Sequence, residues 1–241
     1  LVFQKDLGSS LLFFGLFLIM LYVATERPGW LLLGGSMFVA GSAAVYFLAD
    51  RVRYLDHVQN RINIWLDPMK YIDETPGSGQ LVEGLFGMAW GGLIGRGFGG
   101  GSPERIPFAE SDFILAAIGE ELGLTGVMAV IVVYGLIVER ALRAALISRD
   151  GFGKLVAVGL AGVLALQVFV VIGGVTRLIP LTGLTTPFLS YGGSSLVANW
   201  VIVALLIRIS DLARRPVPDL SEDDDADDLS TQVIRVGGTP S

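Results

Sequence analysis

The sequence contains no cysteine and only one histidine, His57. The lack of cysteine excludes a disulfide framework and any zinc site built on thiolates. Charge is also scarce, because charged residues make up 17% of the 241 residues, against about 25% in soluble domains. Hydrophobic residues reach 52%, and mean hydropathy is +0.64. These deficits indicate that lipid, rather than water, surrounds much of the chain.

The acidity of the chain is concentrated at its C-terminal end. The formal net charge is −6, and residues 211–241 alone hold eight acids and three arginines. The remainder has no strongly basic face, so nucleic acid is not expected as a partner. Residues 211–241 are polar and poor in aromatics, which predicts a disordered acidic tail. The chain opens on Leu1 with no signal-peptide pattern, so we expect a truncation of a longer protein.

Five apolar stretches are each long enough to cross a membrane, which requires about 20 residues. They occupy about 7–24, 30–48, 113–138, 155–175 and 188–208. In lipid, a single apolar segment can satisfy its own backbone only as a helix. The sequence therefore predicts an all-α polytopic membrane protein, with a membrane domain over residues 1–210 and a long polar loop over about 49–112.

The basic residues of the short connections predict the orientation. Lysine and arginine are enriched between the third and fourth stretches (Arg140, Arg143, Arg149, Lys154) and after the fifth (Arg208, Arg214, Arg215). The positive-inside rule makes this side cytoplasmic. The tail is then cytoplasmic and the 49–112 loop extracytoplasmic. The loop has basic residues of its own, but long loops weigh less in the rule.

Asp112 stands where the long loop enters the third stretch, within Glu110-Ser111-Asp112-Phe113-Ile114. Two interpretations remain open. Ser111 or Asp112 could cap the helix N-terminus by accepting a free backbone N–H. Alternatively, a carboxylate partly withdrawn from water at the membrane interface is suited to act as a general base.

Glu120 lies two turns into the same apolar stretch, where an ionisable side chain costs about 3 kcal/mol on insertion scales. At roughly 100° per residue, it lies about 80° around the helix from Asp112. At ~1.5 Å per residue, it lies about 12 Å further along the axis. We therefore expect Glu120 to be able to share a cavity with Asp112, whereas Glu121 faces the opposite side. A buried structural ion pair is the alternative for Glu120.

Two further segments offer groups that bind anions. Arg61 has the forked guanidinium that suits phosphate, and an ordinary surface arginine is the alternative. A helix start is predicted between Pro187 and Ser195, where free N–H groups can bind an anion such as pyrophosphate. Tight helix packing by the small residues of this segment is the alternative.

These segments resemble the SEDS family (shape, elongation, division and sporulation), which includes the RodA, FtsW and SpoVE types. Gln4–Ser9 resembles the family's P-D-L-G-T helix start with Lys5 in place of proline, and Gln59–Pro68 resembles its Q-x-R…D-P segment. Glu110–Ile114 resembles H-T-D-F-I with Glu-Ser replacing His-Thr, and Gly119–Gly123 resembles the E-E-L-G continuation. Pro187–Ser195 matches the long signature P-F-x-S-Y-G-G-S-S. The form of this last segment is closer to the RodA type.

The resemblance implies the C-terminal half of a ten-span bundle and a peptidoglycan glycosyltransferase that polymerises lipid II during cell elongation or division. Asp112 would be the catalytic base. The supporting residues would be Arg61, Glu120, Ser190, Tyr191, Gly192, Gly193, Ser194 and Ser195. The implied partners are lipid II and a class B penicillin-binding protein, a transpeptidase, in the bacterial plasma membrane. A divalent cation, Mg or Mn, would help the pyrophosphate to leave. Because the missing half would complete the cavity, we expect the chain alone to be inactive.

Two other functions remain open. A lipid II flippase would use an intramembrane Glu120 and a broken helix equally well, but it needs charge at mid-depth rather than at the membrane surface. A non-catalytic scaffold of the elongation or division machinery would leave Asp112 dispensable.

Overall fold

The computed structural model describes residues 6–48, 56–73, 78–148 and 150–214, and regular structure within these ranges is entirely helical. The helices are α1 (Leu7–Thr25), α2 (Gly29–Leu48), α3 (Asp56–Leu66), α4 (Gly79–Gly91), α5 (Ile114–Ile147), α6 (Gly151–Val175) and α7 (Gly193–Arg214), with short 3-10 helices at Pro68–Tyr71 and Pro103–Arg105. Four of them, α1, α5, α6 and α7, are long and apolar enough to span a membrane, and α2 offers a shorter apolar run, Gly29–Val45. The all-α polytopic class is therefore confirmed, with four full-length candidate spans and a fifth, shorter one.

Two of the spans extend beyond the predicted boundaries. α5 continues to Ile147 rather than ending near residue 138. Glu139 pairs with Arg143 one turn later, and alanines beyond this pair are buried, so the charged residues do not end the helix. α6 begins at Gly151 rather than near 155 because the Asp150 carboxylate caps it, accepting from Gly153 N at 2.8 Å.

The last span is displaced towards the C-terminus. It begins at Gly193 rather than near residue 188, because Phe188 has a left-handed φ of 63° and turns the chain away from a helix. It ends at Arg214, so residues 211–214 of the predicted tail are helical. The rest of the predicted acidic tail, 215–241, lies outside the described residues.

The predicted long loop contains substantial helical structure. α3 and α4 both lie within residues 49–112. α4 is apolar and buries Leu81 and Val82, so burial against α5 explains why this part of the loop folds as a helix. Residues 49–55 and 74–77 of the loop lie outside the described part of the chain.

Two apolar cores hold the helices together. The first joins α4, the start of α5 and the end of α6, and its members are Leu81, Ile106, Phe113, Leu115, Ala116, Val171 and Val175. The second joins α5, α6 and α7 further along, mainly through Ala141, Ala145, Ala157 and Ala161. Such small residues allow helix backbones in membranes to approach closely. Because Phe113 in the first core is fully buried, the preceding residue, Asp112, has a fixed backbone position.

Candidate functional site

Asp112 occupies the turn that precedes α5, where its side chain is half-buried. Its Oδ1 accepts a hydrogen bond from the Ser111 hydroxyl at 2.7 Å. The N-cap residue of α5 is Phe113, and no side chain caps the helix. The interpretation of Ser111 or Asp112 as the helix cap is therefore wrong. Gly183 lies beside the second oxygen, since a Cβ there would be in ordinary van der Waals contact with Asp112 Oδ2, at 4.0 Å.

The segment between α6 and α7 packs directly on the Asp112 turn. The Ser190 hydroxyl donates to the backbone carbonyl of Ser111 and accepts from the backbone N–H of Thr186 at 2.7 Å. The backbone N–H of Tyr191 donates to the Glu110 carbonyl at 2.7 Å. The structure thus brings Ser190 and Tyr191 together with Asp112, although the linked residues Ser111 and Ser190 are 79 positions apart.

An open hollow of about 530 Å³ lies beside this junction. It is lined by Glu110, Ile114, Phe188, Leu189, Ser190, Tyr191, Gly192, Gly193 and Leu196. The Tyr191 side chain is 83% exposed. Apolar and aromatic walls with a few polar groups are typical of small-molecule sites. Asp112 does not itself line the hollow, but Glu110 and Ile114 do, two residues away on either side.

The start of α7 contains the remaining predicted residues of the signature segment. Ser195 Oγ lies 2.9 Å from Thr185 Oγ1, and buried Asn199 donates to the same Ser195 oxygen at 3.4 Å. Ser194 is exposed. The contacts of Ser195 therefore agree with the alternative of tight helix packing by small residues. Gly192 and Gly193, in contrast, line the hollow.

Arg61 serves as a clamp on the α6–α7 connection. Its Nη1 donates to the Leu181 carbonyl at 2.8 Å. Two side chains that the sequence analysis missed have the same role further along. Gln167 Nε2 donates to the Thr185 carbonyl at 2.8 Å, and the buried Tyr134 hydroxyl donates to the Pro187 carbonyl. Both are polar residues within apolar spans, and this rarity is the signal that could have identified them.

Glu120 is buried, at 6% exposure, but it does not join Asp112. Its Oε1 accepts from the backbone N–H of Ser102 at 2.9 Å, and a Cβ at Gly87 would lie 3.2 Å from its Oε2. The described contacts of Glu120 are with Ser102 and the glycines around it, on the segment after α4 that packs on this face of α5, and none of them is with Asp112. The alternative of an ion pair also fails within the described residues, where a backbone amide takes the place of a cation.

The family resemblance implies a divalent cation, which requires a cluster of ligand side chains. Among the described residues, no group of three or more histidine, cysteine, aspartate or glutamate side chains could hold a metal ion. Hard cations such as Mg²⁺ are held by several oxygen ligands. In this part of the chain, Asp112 offers a single carboxylate, so the residues do not fit a protein-built metal centre.

Fold and site together define a multi-pass helical membrane protein with a braced carboxylate at one end of a spanning helix. The chain belongs to the family of cell cycle proteins comprising FtsW, RodA and SpoVE, whose sequence model matches residues 1–215.

The chain is similar to peptidoglycan glycosyltransferase RodA of Mycobacterium tuberculosis (strain ATCC 25618 / H37Rv), with 51% identity over 217 residues, covering 90% of this chain and 45% of the relative. It is 39% identical over 209 residues to the probable peptidoglycan glycosyltransferase FtsW of Geobacter metallireducens (strain ATCC 53774 / DSM 7210 / GS-15), covering 86% of this chain and 54% of that protein. The higher identity agrees with the RodA-like form of the signature segment. The chain spans about half the length of these curated relatives.

A solved structure shares the fold. It is described as "Structural coordination of polymerization and crosslinking by a peptidoglycan synthase complex", with a TM-score of 0.70 and 29% sequence identity. The match covers 90% of this chain and 59% of that chain.

Proposed function

We propose that the protein, in its full-length form, is a peptidoglycan glycosyltransferase that polymerises lipid II, with Asp112 as its general base. The observation that carries the proposal is the position of the Asp112 carboxylate. It is not used as a helix cap, it is held by Ser111, and the turn that bears it borders an open hollow. The RodA relatives bear the name of this activity.

The proposed reaction requires a single base. The Asp112 carboxylate takes the proton of the acceptor's sugar 4-hydroxyl, and the resulting oxygen attacks the anomeric carbon of the donor. A new carbon–oxygen bond forms as the bond to the pyrophosphate oxygen breaks, so undecaprenyl pyrophosphate leaves and the configuration inverts. A positioned general base typically contributes about 10²- to 10⁴-fold to the rate.

The length of α5 supports a position for Asp112 among lipid headgroups. Its 34 residues, although interrupted at Gly123, exceed the roughly 20 that cross a hydrocarbon layer of about 30 Å. Arg140 and Arg143 mark the proposed cytoplasmic boundary. Counting about 20 residues back from there places the opposite boundary near Glu120. Asp112, eight residues before Glu120 in the chain, then lies outside the hydrocarbon, on the side of a lipid-linked sugar. The C-terminal tail is cytoplasmic in this orientation.

We propose a class B penicillin-binding protein as the partner. The similar solved structure is described as a synthase complex that coordinates polymerization with crosslinking. A transpeptidase in the same membrane would receive glycan strands where they are made.

The test uses the full-length protein with its transpeptidase partner, purified and supplied with lipid II. Asp112→Asn should lower glycan-strand formation by about 100-fold or more, measured by gel separation of labelled strands. Glu104→Gln is the matched control, because it removes an exposed acid of the same loop and should keep the wild-type rate.

Two outcomes would contradict the proposal. A normal rate for Asp112→Asn would eliminate the base assignment. A wild-type protein that makes no strands but moves lipid II across vesicles would establish the transporter alternative. A scaffold would show neither activity.

A further inference from the structure

α5 is interrupted at Gly123, and the glycine-rich segment after α4 docks into the interruption. Gly123 has φ 68° and ψ −168°, outside the helical region. The carbonyls of Glu120 and Glu121 consequently accept from Arg96 N at 3.2 Å and Gly97 N at 2.9 Å. The two segments therefore exchange backbone hydrogen bonds in place of the missing helical ones.

The exchange is reciprocal. Beyond the break, Leu124 N donates to the Gly92 carbonyl at 2.9 Å, and Thr125 N donates to the Leu93 carbonyl at 3.1 Å. The approach requires glycine, because a side chain at Gly123 would collide with the Gly95 backbone. Residues 92–97 are thus fixed alongside residues 120–125 of a candidate membrane span.

Two carboxylates complete the docking. Glu121 Oε1 accepts from Gly99 N at 3.0 Å, and Glu120 Oε1 accepts from Ser102 N at 2.9 Å. Much of the segment's backbone is therefore satisfied by α5 rather than by water. Irregular backbone is tolerated at membrane depth only where such partners exist.

The outer side of this segment is strongly apolar. Trp90, Leu93, Ile94 and Phe98 are between 63% and 84% exposed. The Arg96 guanidinium lies 4.3 Å from the centre of the Trp90 ring. Four large apolar side chains that are exposed within nine residues of the chain indicate an interaction surface. We call these four residues the apolar tip.

The level of the tip identifies the occupant of this surface. Its backbone partners begin at Glu120, and the edge of the hydrocarbon layer falls near that residue when about 20 residues are counted back from Arg140. Tryptophan is enriched at this level, and an arginine there can extend its guanidinium towards the headgroups. We propose that the apolar tip inserts into the phospholipid acyl chains of the leaflet at the Ile114 end of α5, with Arg96 at headgroup level.

This inference makes the segment a membrane-dipping anchor rather than an aqueous loop. The anchor lies between α4 and the turn that carries Asp112. Lipid contact and the α5 break together therefore fix the depth of the anchor relative to the membrane. The inference rests on the membrane span and not on the proposed glycosyltransferase activity, so either can fail without the other.

Site-directed spin labelling provides the test. Single cysteines are introduced at Ile94 and Phe98 of the full-length protein in phosphatidylethanolamine–phosphatidylglycerol vesicles, and each is labelled with a nitroxide. The 241 residues contain no cysteine, so this region needs no background substitution. Collisions with oxygen, which concentrates in lipid, are compared with collisions with a water-soluble nickel chelate. Leu136→Cys, exposed in α5 one turn before the proposed boundary at Arg140, is the lipid-facing control, and Glu104→Cys is the aqueous control.

The expected result is an oxygen-to-nickel collision ratio at Ile94→Cys and Phe98→Cys close to that of Leu136→Cys and well above that of Glu104→Cys. A ratio equal to that of Glu104→Cys would overturn the proposal, because the tip would then face water. Low collision with both probes would also overturn it, because a protein surface would then cover the tip. Measuring two tip positions guards against local distortion by a single label.

Discussion

Ser190 donates its hydroxyl hydrogen to the backbone carbonyl of Ser111, the residue that precedes Asp112. The same hydroxyl accepts from the backbone N–H of buried Thr186. One small side chain therefore joins the α6–α7 connection to the turn that presents the candidate base. The position of Asp112 depends on two distant parts of the chain.

Replacing Ser190 by alanine should destabilise the protein. The substitution leaves the Ser111 carbonyl and the Thr186 N–H without their partner, and a buried group left unsatisfied typically costs about 1–3 kcal/mol. Thermal unfolding in detergent, followed by circular dichroism, measures the loss. Ser194→Ala is the matched control, since Ser194 is exposed, and its effect should stay within about 0.5 kcal/mol. Equal stability of the two variants would show that the Ser190 junction does not stabilise the fold.

The break in α5 should make Gly123 intolerant of a side chain. Gly123→Ala places a Cβ on a residue with φ 68° and ψ −168°, a region that is essentially restricted to glycine and costs about 1–3 kcal/mol, and drives it into the Gly95 backbone. Gly135→Ala tests the same change in the same helix, where a Cβ meets nothing within 4 Å, and it should be neutral or stabilising by up to about 1 kcal/mol. Chemical denaturation of both variants measures the contrast. Similar stabilities would mean that α5 is continuous through residue 123.

Arg61 should act as a structural clamp. Arg61→Ala removes the donor to the Leu181 carbonyl, and hydrogen bonds to charged groups contribute about 1.5–3 kcal/mol. We expect a lower unfolding temperature. Arg105→Ala, at an exposed arginine of the same loop, should leave that temperature unchanged. An unchanged unfolding temperature for Arg61→Ala, with a raised KM for lipid II, would restore the phosphate-binding interpretation.

Hydropathy alone located the spans, because a lipid environment imposes long apolar helices on any sequence that enters it. It could not locate the break at Gly123, since Glu120–Leu124 reads as an unbroken helical segment and the break depends on glycines 91–97 docking against it. Helical periodicity predicted opposite sides of α5 for Glu120 and Glu121. It could not show that one glycine-rich segment contacts both carboxylates, through Ser102 N and Gly99 N.

The candidate site likewise combines features with a local sequence signal and features that depend on tertiary packing. The order of residues in the chain placed Asp112 at the entrance to α5, which the structure also shows. The contact between Ser190 and Ser111 depends on tertiary packing and has no local signal. The helix-cap alternative for Asp112 failed for a reason that sequence does not carry. The N-cap position falls one residue later, at Phe113, which is held in the core.

Asp6 provides a prediction about pH. It caps α1 from just outside that span, accepting from Ser9 N at 3.1 Å and from Ser9 Oγ at 2.6 Å. The Ser9 hydroxyl holds the pKa of the Asp6 carboxyl below its usual value of 3.8, with further help from the backbone N–H groups of Ser9 and Gly8 and from the charge of Arg61, against the opposing effect of burial. The ionised form is therefore favoured in the folded protein.

Because the pKa is lower in the folded state, the charge of Asp6 stabilises the fold fully above the unfolded value of 3.8 and loses this effect as the pH falls through the folded value. Asp6→Asn retains a good capping residue but cannot ionise. The difference in unfolding free energy between the wild type and Asp6→Asn should be constant from about pH 7 to pH 5 and should shrink below about pH 4. The other carboxylates titrate in both proteins and cancel from the difference. A difference that stays constant down to about pH 3 would show that Ser9 does not favour the charged form of Asp6.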